Sequence, residues 1–331
     1  MEQIQNLNSS NPSVALIVGV TGMAGFSLAQ ALNNHHNHTW KIHGVARRPL
    51  PSWFPPSLLH SFINFDALNS TDTFAKLSPI SSEVTHVFWV AFQLYETEEL
   101  NVAKNSAMLR NVLDVLTKAS PSRLRHVTLQ TGTKHYMGPI LTRRWQGNSC
   151  AMSRRLWRTR RAFHIRTFTT LWKTLWLRTR YTWEHFCDMT DASVLAQQQI
   201  WAALSDKAKN QAFNCTNGDV FTWKSLWKVL CEVFEVEFVE FDDEIAKGFD
   251  LVEMMKEKGG VWDEIVEKHG LYKTKLEEIT CFDALKIAMN FDFQHVCSMN
   301  KSREFGFHGF ADTFKNIRMW VERLRDMKIT Q

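Results

Sequence analysis

Gly19, Gly22 and Gly25 stand at a three-residue spacing in "SVALIVGVTGMAGFSLAQALNN". Before them lies an apolar run of strand length, residues 14–18. After them Phe26, Leu28, Ala29 and Leu32 recur at helical spacing. A strand, a glycine turn and a helix in that order let the backbone approach a pyrophosphate closely and hold it at the helix N-terminus. Three spaced glycines alone are weak evidence; the strand and the amphipathic helix around them supply the context the motif needs. Thr21, Met23 and Ala24 complete the candidate turn.

The next strand, "WKIHGVARR", bears on which dinucleotide such a turn would take. A ribose with free hydroxyls wants an Asp or Glu near the strand end, yet no acidic residue occurs between Glu2 and Asp66. Arg47 and Arg48 stand there instead, and a guanidinium pair suits a 2′-phosphate. The reading is NADP(H) rather than NAD, against the plainer alternative of two arginines solvating a loop. Asp66, at the end of "SFINFD", either accepts from an adenine amino group or closes an Asx turn. Ala67 beside it, and Val90 and Ala91 at the end of "THVFWVAF", are further candidate cofactor contacts.

These residues need a scaffold, and the spacing of the apolar runs provides one. Strands are expected at residues 14–18, in "WKIHGVARR", in "SFINFD", from Thr85 and from Arg125. Val102, Leu109, Val112, Leu113 and Leu116 mark a long amphipathic helix between the last two. Strands alternating with helices imply an α/β fold with a doubly wound, parallel Rossmann-type sheet.

The 331 residues carry 39 Lys and Arg against 34 Asp and Glu, a net charge of +5. The excess is local. Residues 142–180 hold eleven Lys or Arg and no acid, and without them 28 basic residues (39 less 11) face 34 acidic ones. The six cysteines are scattered without a C-x-x-C pair, which predicts reduced, mostly buried thiols. His35, His36 and His38 lack carboxylate or thiol partners in sequence and read as a solvated loop; no metal is expected. The polar start, residues 1–12, reads as a disordered tail without an apolar signal core, and no apolar run approaches a membrane span. A cytoplasmic protein with no membrane partner is the expectation.

Further motifs carry a resemblance. "GVTGMAG", "GVARRPLPSW", "THVFWVAF", "MLRNVLDVL" and above all "HVTLQTGTKHYMGP" are similar, in that order, to the progesterone 5β-reductase and iridoid synthase family of plant short-chain dehydrogenases/reductases. "YTWEHFCDMTDASVLAQQQIWAA", "KNQAFNCTNGDVFTWKSLWKVL" and "SMNKSREFGFHGF" resume the match. The resemblance implies a Rossmann enzyme that uses NADPH to reduce the carbon–carbon double bond of a small-molecule enone or enal. A preorganised donor to the carbonyl oxygen, where charge develops, lowers the barrier of such a reaction. It also implies that Lys134, in "TGTKHY", is catalytic, holding the nicotinamide ribose and biasing a tyrosine hydroxyl.

That tyrosine belongs to a family segment of the form "NFYY-x-LED", and it is absent. Thr169 and Thr170, followed by Leu171, Trp172, Lys173 and Thr174, occupy its place. The Tyr-Tyr codons TAC TAC read one nucleotide late yield Thr-Thr, and TTG GAA GAC for Leu-Glu-Asp yields Trp-Lys-Thr; shifted proline codons yield arginine whenever their last base is G. Residues from Leu141 to about Leu177 thus read as a frameshifted version of ordinary family sequence, with a block lost before Tyr181. Impaired reduction is the expectation, with an inactive NADP-binding remnant as the alternative. A nucleic-acid arm built on arginines interleaved with Trp157, Phe163, Phe168, Trp172 and Trp176 ranks below both, and a basic membrane helix lower still, with a disordered insertion of no selected role ahead of either.

The organisation expected is a tail (1–12), an NADP-binding Rossmann domain (13–140), an anomalous basic segment (141–180) and a C-terminal substrate cap (181–331). In the cap, helices are expected over residues 194–204 and in "FTWKSLWKVLCEVF", "DLVEMMKEK", "VWDEIVEKHGL" and "FADTFKNIRMWVERLRDMK", and a short strand in "AFNCTNG". Met254, Met255 and Met299 suit either an adaptable pocket or ordinary packing. A homodimer is left open.

Overall fold

The computed structural model describes residues 13–36, 38–132, 179–243, 250–280, 282, 285–286, 289 and 293–330. It divides into two compact units, Met1–Gln130 with Leu195–Gln211, and Thr131–Val194 with Ala212–Gln331.

Among the described residues the first unit is built on five parallel strands: β1 (Ser13–Val18), β2 (Trp40–Ala46), β3 (Ser61–Asn64), β4 (His86–Trp89) and β5 (His126–Leu129). Their order across the sheet is β3-β2-β1-β4-β5. The chain winds outward from β1 in one direction, then returns to β1 and winds the other way, which leaves the reversal between β1 and β4. β1 pairs with β2 from Ser13 opposite Trp40 to Val18 opposite Val45, and with β4 from Ala15 opposite His86. Every residue of β1 is buried, as a central strand covered on both faces requires.

Three helices connect these strands: α1 (Met23–Asn33), α2 (Ser70–Leu77) and α3 (Glu98–Lys118). α2 starts where the Asn69 side chain accepts from the Asp72 N–H, and α3 where Thr97 accepts from Leu100. Val14, Leu16, Val45, Val87 and Trp89 from the strands close one core with Met108, Val112 and Leu116 from α3. The expected stripe on α3 is correct at Val112 and Leu116 and wrong at Val102, which is 47% exposed. The polar Asn101 takes the buried place one residue earlier.

In the second unit a two-stranded antiparallel pair joins β6 (Phe186–Cys187) to β7 (Phe221–Thr222), following the short helix α4 (Arg180–Glu184). Helix α5 (Ala192–Leu204) comes between them in the chain, with its residues from Leu195 onward belonging to the first unit. α6 (Trp223–Val233), α7 (Leu251–Met255), α8 (Gly259–Lys268), α9 (Leu276–Ile279), α10 (Asn300–Glu304) and α11 (Thr313–Asp326) follow. Trp183, Phe234, Trp262, Ile265 and Val321 form its core, with Trp223, Trp227 and Leu230 packed against it as the helical spacing predicted. Met255 and Met299 are buried, the ordinary-packing reading.

"AFNCTNG" is a correction. It forms no strand; its backbone is instead fastened to side chains, with Thr216 N–H on the Met299 sulfur at 3.2 Å and the Asn214 carbonyl accepting from the Ser302 hydroxyl at 3.1 Å. Side-chain partners satisfy the polar backbone without a ladder. Among the described residues no helix is long and apolar enough to cross a membrane.

Candidate functional site

β1 ends at Val18 and the chain turns at Gly19, whose φ of +98° belongs to the left-handed region open to glycine. A Cβ there would lie 2.9 Å from the Ala91 nitrogen, so the turn after β1 and the chain after β4 touch backbone to backbone. Gly19 and Val20 N–H groups both donate to the Val45 carbonyl, at 2.8 and 3.1 Å, and Val90 N–H donates to Val18 at 3.0 Å. At Gly25 a Cβ would stand 2.4 Å from the Gly19 carbonyl, so helix and turn also meet without a side chain between them.

Gly22 caps α1 with no side-chain hydrogen bond, and no acidic residue lies in the first turn. Met23, Ala24 and Gly25 therefore open the helix with backbone N–H groups that no capping side chain satisfies, at the positive end of the helix dipole. Thr21 lies half-buried in the turn. A phosphate group fits this helix start by donor chemistry.

Arg47 and Arg48 follow the last residue of β2 and are exposed. Asp66 lies just past β3. Its Oδ1 accepts from Leu68 N–H at 3.0 Å, the Asx-turn arrangement, while its own N–H donates to Asp72 at 3.2 Å. Ala67 beside it, and Val90 and Ala91 after β4, are half-buried. All of these residues follow the carboxyl ends of adjacent parallel strands and so lie along one edge of the sheet. Lys134, Thr169 and Thr170 lie outside the described residues, as do residues 141–178 of the basic segment.

Three residues at this edge escaped sequence reasoning. Asn101 and Asn105 on α3 hold the chain after β4, and Asn111 holds the chain after β3. The one signal for them was their position on the inward face of a helix.

The opposite edge collects histidines. His43 is buried between Ser61 and Glu83, at 2.6 and 2.9 Å, while Lys41 also pairs with Glu83 at 2.7 Å. His86 contacts Thr85 at 2.8 Å and packs against Trp40 and His126, with ring centroids 4.9 and 6.1 Å away. Burial, followed by the charge of His126, pushes its pKa down to about 4. The solvated-loop expectation fails for His38, which meets Ser13 at 2.7 Å and lies 4.8 Å from the Trp40 ring.

In the second unit, Asp188, His295 and Cys297 offer ligand atoms within 4.8 Å of one another, a grouping that spans more than a hundred residues of sequence. Asp188 uses one oxygen on His295 Nδ1, at 3.1 Å, and the other on the Cys297 N–H, while its own N–H donates to the His295 carbonyl at 2.9 Å. The carboxylate thus stitches two segments together. Cys187, Cys215, Cys231 and Cys297 are all free, and burial pushes the Cys187 and Cys215 thiols up to about 12, as unreactive packing residues require.

A doubly wound parallel sheet with a glycine turn at its reversal defines a Rossmann-type fold. Solved structures agree on the fold: the epimerase Mth375 of Methanothermobacter thermautotrophicus superposes with a TM-score of 0.58 over 96% of this chain and 95% of that one, at 11% identity. The NAD complex of UDP-glucose 4-epimerase from Thermus thermophilus gives 0.57 over 94% of this chain and 99% of that one, at 13% identity. No protein-family model matches the chain.

The chain is 36% identical to the 3-oxo-Delta(4,5)-steroid 5-beta-reductase of Arabidopsis thaliana, over 97% of this chain and 94% of that protein. It is 33% identical to the (S)-8-oxocitronellyl enol synthase of Antirrhinum majus, over 98% and 95%, and 34% identical to that of Catharanthus roseus, over 96% and 92%. It belongs to the family of progesterone 5β-reductases and iridoid synthases, a family of oxidoreductases.

Proposed function

We propose that the chain binds NADP(H) along the carboxyl edge of its sheet and descends from reductases of activated C=C bonds in small-molecule enones or enals, with reduction impaired in this form. The observation that carries the reading is the juxtaposition of an uncapped helix N-terminus behind Gly19 with Arg47 and Arg48, which follow directly on the adjacent strand. A pyrophosphate at the turn and a 2′-phosphate at the arginines set the direction of the dinucleotide. Its adenine then lies toward Asp66 and Ala67, and its nicotinamide half toward Val90 and Ala91, because the strand order is β3-β2-β1-β4. Asp66 has Oδ1 engaged in its own turn, so its role there is to shape the loop.

The cofactor, when bound, supplies a hydride to the β-carbon of the enone. The chain's own part is to hold the ribose through Lys134 and to steady negative charge on the substrate oxygen. The second task falls in the family to the tyrosine whose place Thr169 and Thr170 occupy. Loss of one such donor costs on the order of a hundred- to a thousand-fold in turnover. The alignment to the Arabidopsis reductase runs over 375 positions against 331 residues here, so at least 44 positions (375 less 331) face gaps in this chain. That supports the loss of a family block, which the frameshift reading sets before Tyr181.

Two measurements test this. Titration with NADPH should give saturable binding, and NADPH oxidation in the presence of an enone should run at least a hundred-fold below that of the Arabidopsis relative. Oxidation at a comparable rate would sink the impairment; binding with no turnover would favour the cofactor-binding remnant. Sequencing the transcript across codons 140–182 tests the frameshift, which a cDNA encoding the present residues in one clean frame would overturn as a gene-model error.

A further inference from the structure

Helix α3 presents two asparagines one turn apart to the extended chain that follows β4. Asn105 accepts the Gln93 N–H at 2.9 Å and donates back to the Gln93 carbonyl at 2.7 Å. Asn101 accepts the Tyr95 N–H at 2.8 Å and donates to the Tyr95 carbonyl at 3.4 Å. The second proton of the Asn105 amide goes to the Asn101 carbonyl at 2.8 Å, which uses both of its donors. A carboxamide carries one acceptor and two donors in the plane of a peptide group, so it pairs with a backbone residue as a neighbouring strand would.

The spacing makes this pairing repeat. Four helical residues rise about 6 Å, and two extended residues span about 6.6 Å, so side chains at i and i+4 of a helix meet alternate residues of a strand. A third asparagine, Asn111, donates to the Ala67 carbonyl at 2.9 Å and to Leu68 at 3.3 Å, in the loop after β3. α3 itself is fixed to the sheet by Met108, Val112 and Leu116 in the core.

We infer that α3 is the positioning element of the proposed cofactor cleft, with separate asparagines for its two ends: Asn101 and Asn105 set the chain that carries Val90 and Ala91, and Asn111 sets the loop that carries Asp66 and Ala67. This rests on the reading that the carboxyl edge takes NADP(H). The chain after β4 is pinned at one end by the Val90 N–H on Val18 and at the other by the asparagine pair. Releasing the second anchor frees the intervening residues to swing away from Gly19. These are positioning residues, since they reach the cofactor through the backbone they hold.

The test separates the two ends. NADPH and its adenine-side fragment, adenosine 2′,5′-bisphosphate, are titrated into the full chain and into Asn105→Ala and Asn111→Ala, with thermal melts alongside. Asn105→Ala should weaken NADPH roughly ten-fold and leave the bisphosphate within two-fold, whereas Asn111→Ala should weaken both by the same factor. Asn105→Asp, which keeps the acceptor for Gln93 N–H, replaces the alanine variant if that fails to fold and should show the same split to a smaller degree. Equal loss of both ligands in the Asn105 variant, or unchanged affinity in both variants, overturns the inference while leaving the site itself standing. If the unaltered chain binds neither ligand, the cofactor reading fails and takes this inference with it.

Discussion

His86 opens β4 at the edge of the sheet away from the glycine turn, 5% exposed and within ring contact of Trp40 and His126. Burial, then the charges of His126, His38 and Arg125, lower its pKa from 6.5 to about 4. Across that window the unfolded chain binds a proton that the folded chain excludes. Stability therefore falls as pH drops below 6.5 and levels off below about 4. Each pKa unit is worth about 1.4 kcal/mol, so this one side chain costs roughly 2 kcal/mol at pH 5 and about 3 kcal/mol at its limit.

His86→Phe keeps an aromatic ring against Trp40 and removes the titration. It also removes the contact with Thr85, which lowers stability by about 1 kcal/mol at every pH, so the slope rather than the height carries the test. Urea unfolding of both proteins, followed by far-ultraviolet circular dichroism at about pH 7 and about pH 5, should show the variant losing about 2 kcal/mol less than the unaltered chain. Some acid sensitivity remains in the variant, because burial also lowers the pKa of His38, His43 and His126. Equal losses in the two proteins would falsify the claim that His86 is held neutral by its surroundings.

Replacing Arg47 and Arg48 together by alanine should weaken NADPH by roughly ten- to a hundred-fold, the worth of charge-assisted hydrogen bonds, and leave NADH within a few-fold; parallel titrations decide it. Gly19→Ala meets both a φ of +98° and the Ala91 backbone at 2.9 Å, and should lower stability by about 1–3 kcal/mol with loss of NADPH binding, read by denaturant midpoint and titration. Asp219 accepts both the N–H and the hydroxyl of the buried Thr313, at 2.7 and 2.6 Å, at the start of α11. Asp219→Ala strands that N–H and should destabilise the C-terminal unit by about 1–3 kcal/mol, seen as a lowered urea midpoint.

What was legible in the sequence was local. Residues 14–18 had to be a strand and Phe26, Leu28, Ala29 and Leu32 a helix face, since both patterns are set by backbone period alone. Gly19 was legible because few other residues enter a turn with that φ. Pairings across long separations were not. The hydrophobic period counts Val102 toward the α3 stripe and passes over Asn101, because it cannot see that the Tyr95 peptide group takes its partner from that position. His38 looked solvated for the same reason, as Ser13 and Trp40 reach it only once β1 and β2 pair. "AFNCTNG" has strand composition, yet Met299, Met189 and Ala311 supply its backbone partners from afar.

On the function proposed above, binding and turnover rest on different parts of this chain. The proposed cradle for a dinucleotide draws on backbone geometry and on Arg47 and Arg48, all in the turns that follow β1 and β2 and at the start of α1, and its shape is held by contacts such as Gly19 with Val45 and Ala91. The family's chemistry draws on Lys134 and on a tyrosine whose place holds threonine. The proposed change in reading frame past Leu141 would leave the residues of the glycine turn unaltered while replacing the groups that, in the family, stabilise charge on the substrate. Affinity should therefore survive where rate does not. An NADPH affinity in the range of active relatives, beside turnover lower by a hundred-fold or more, is the signature expected of such a chain.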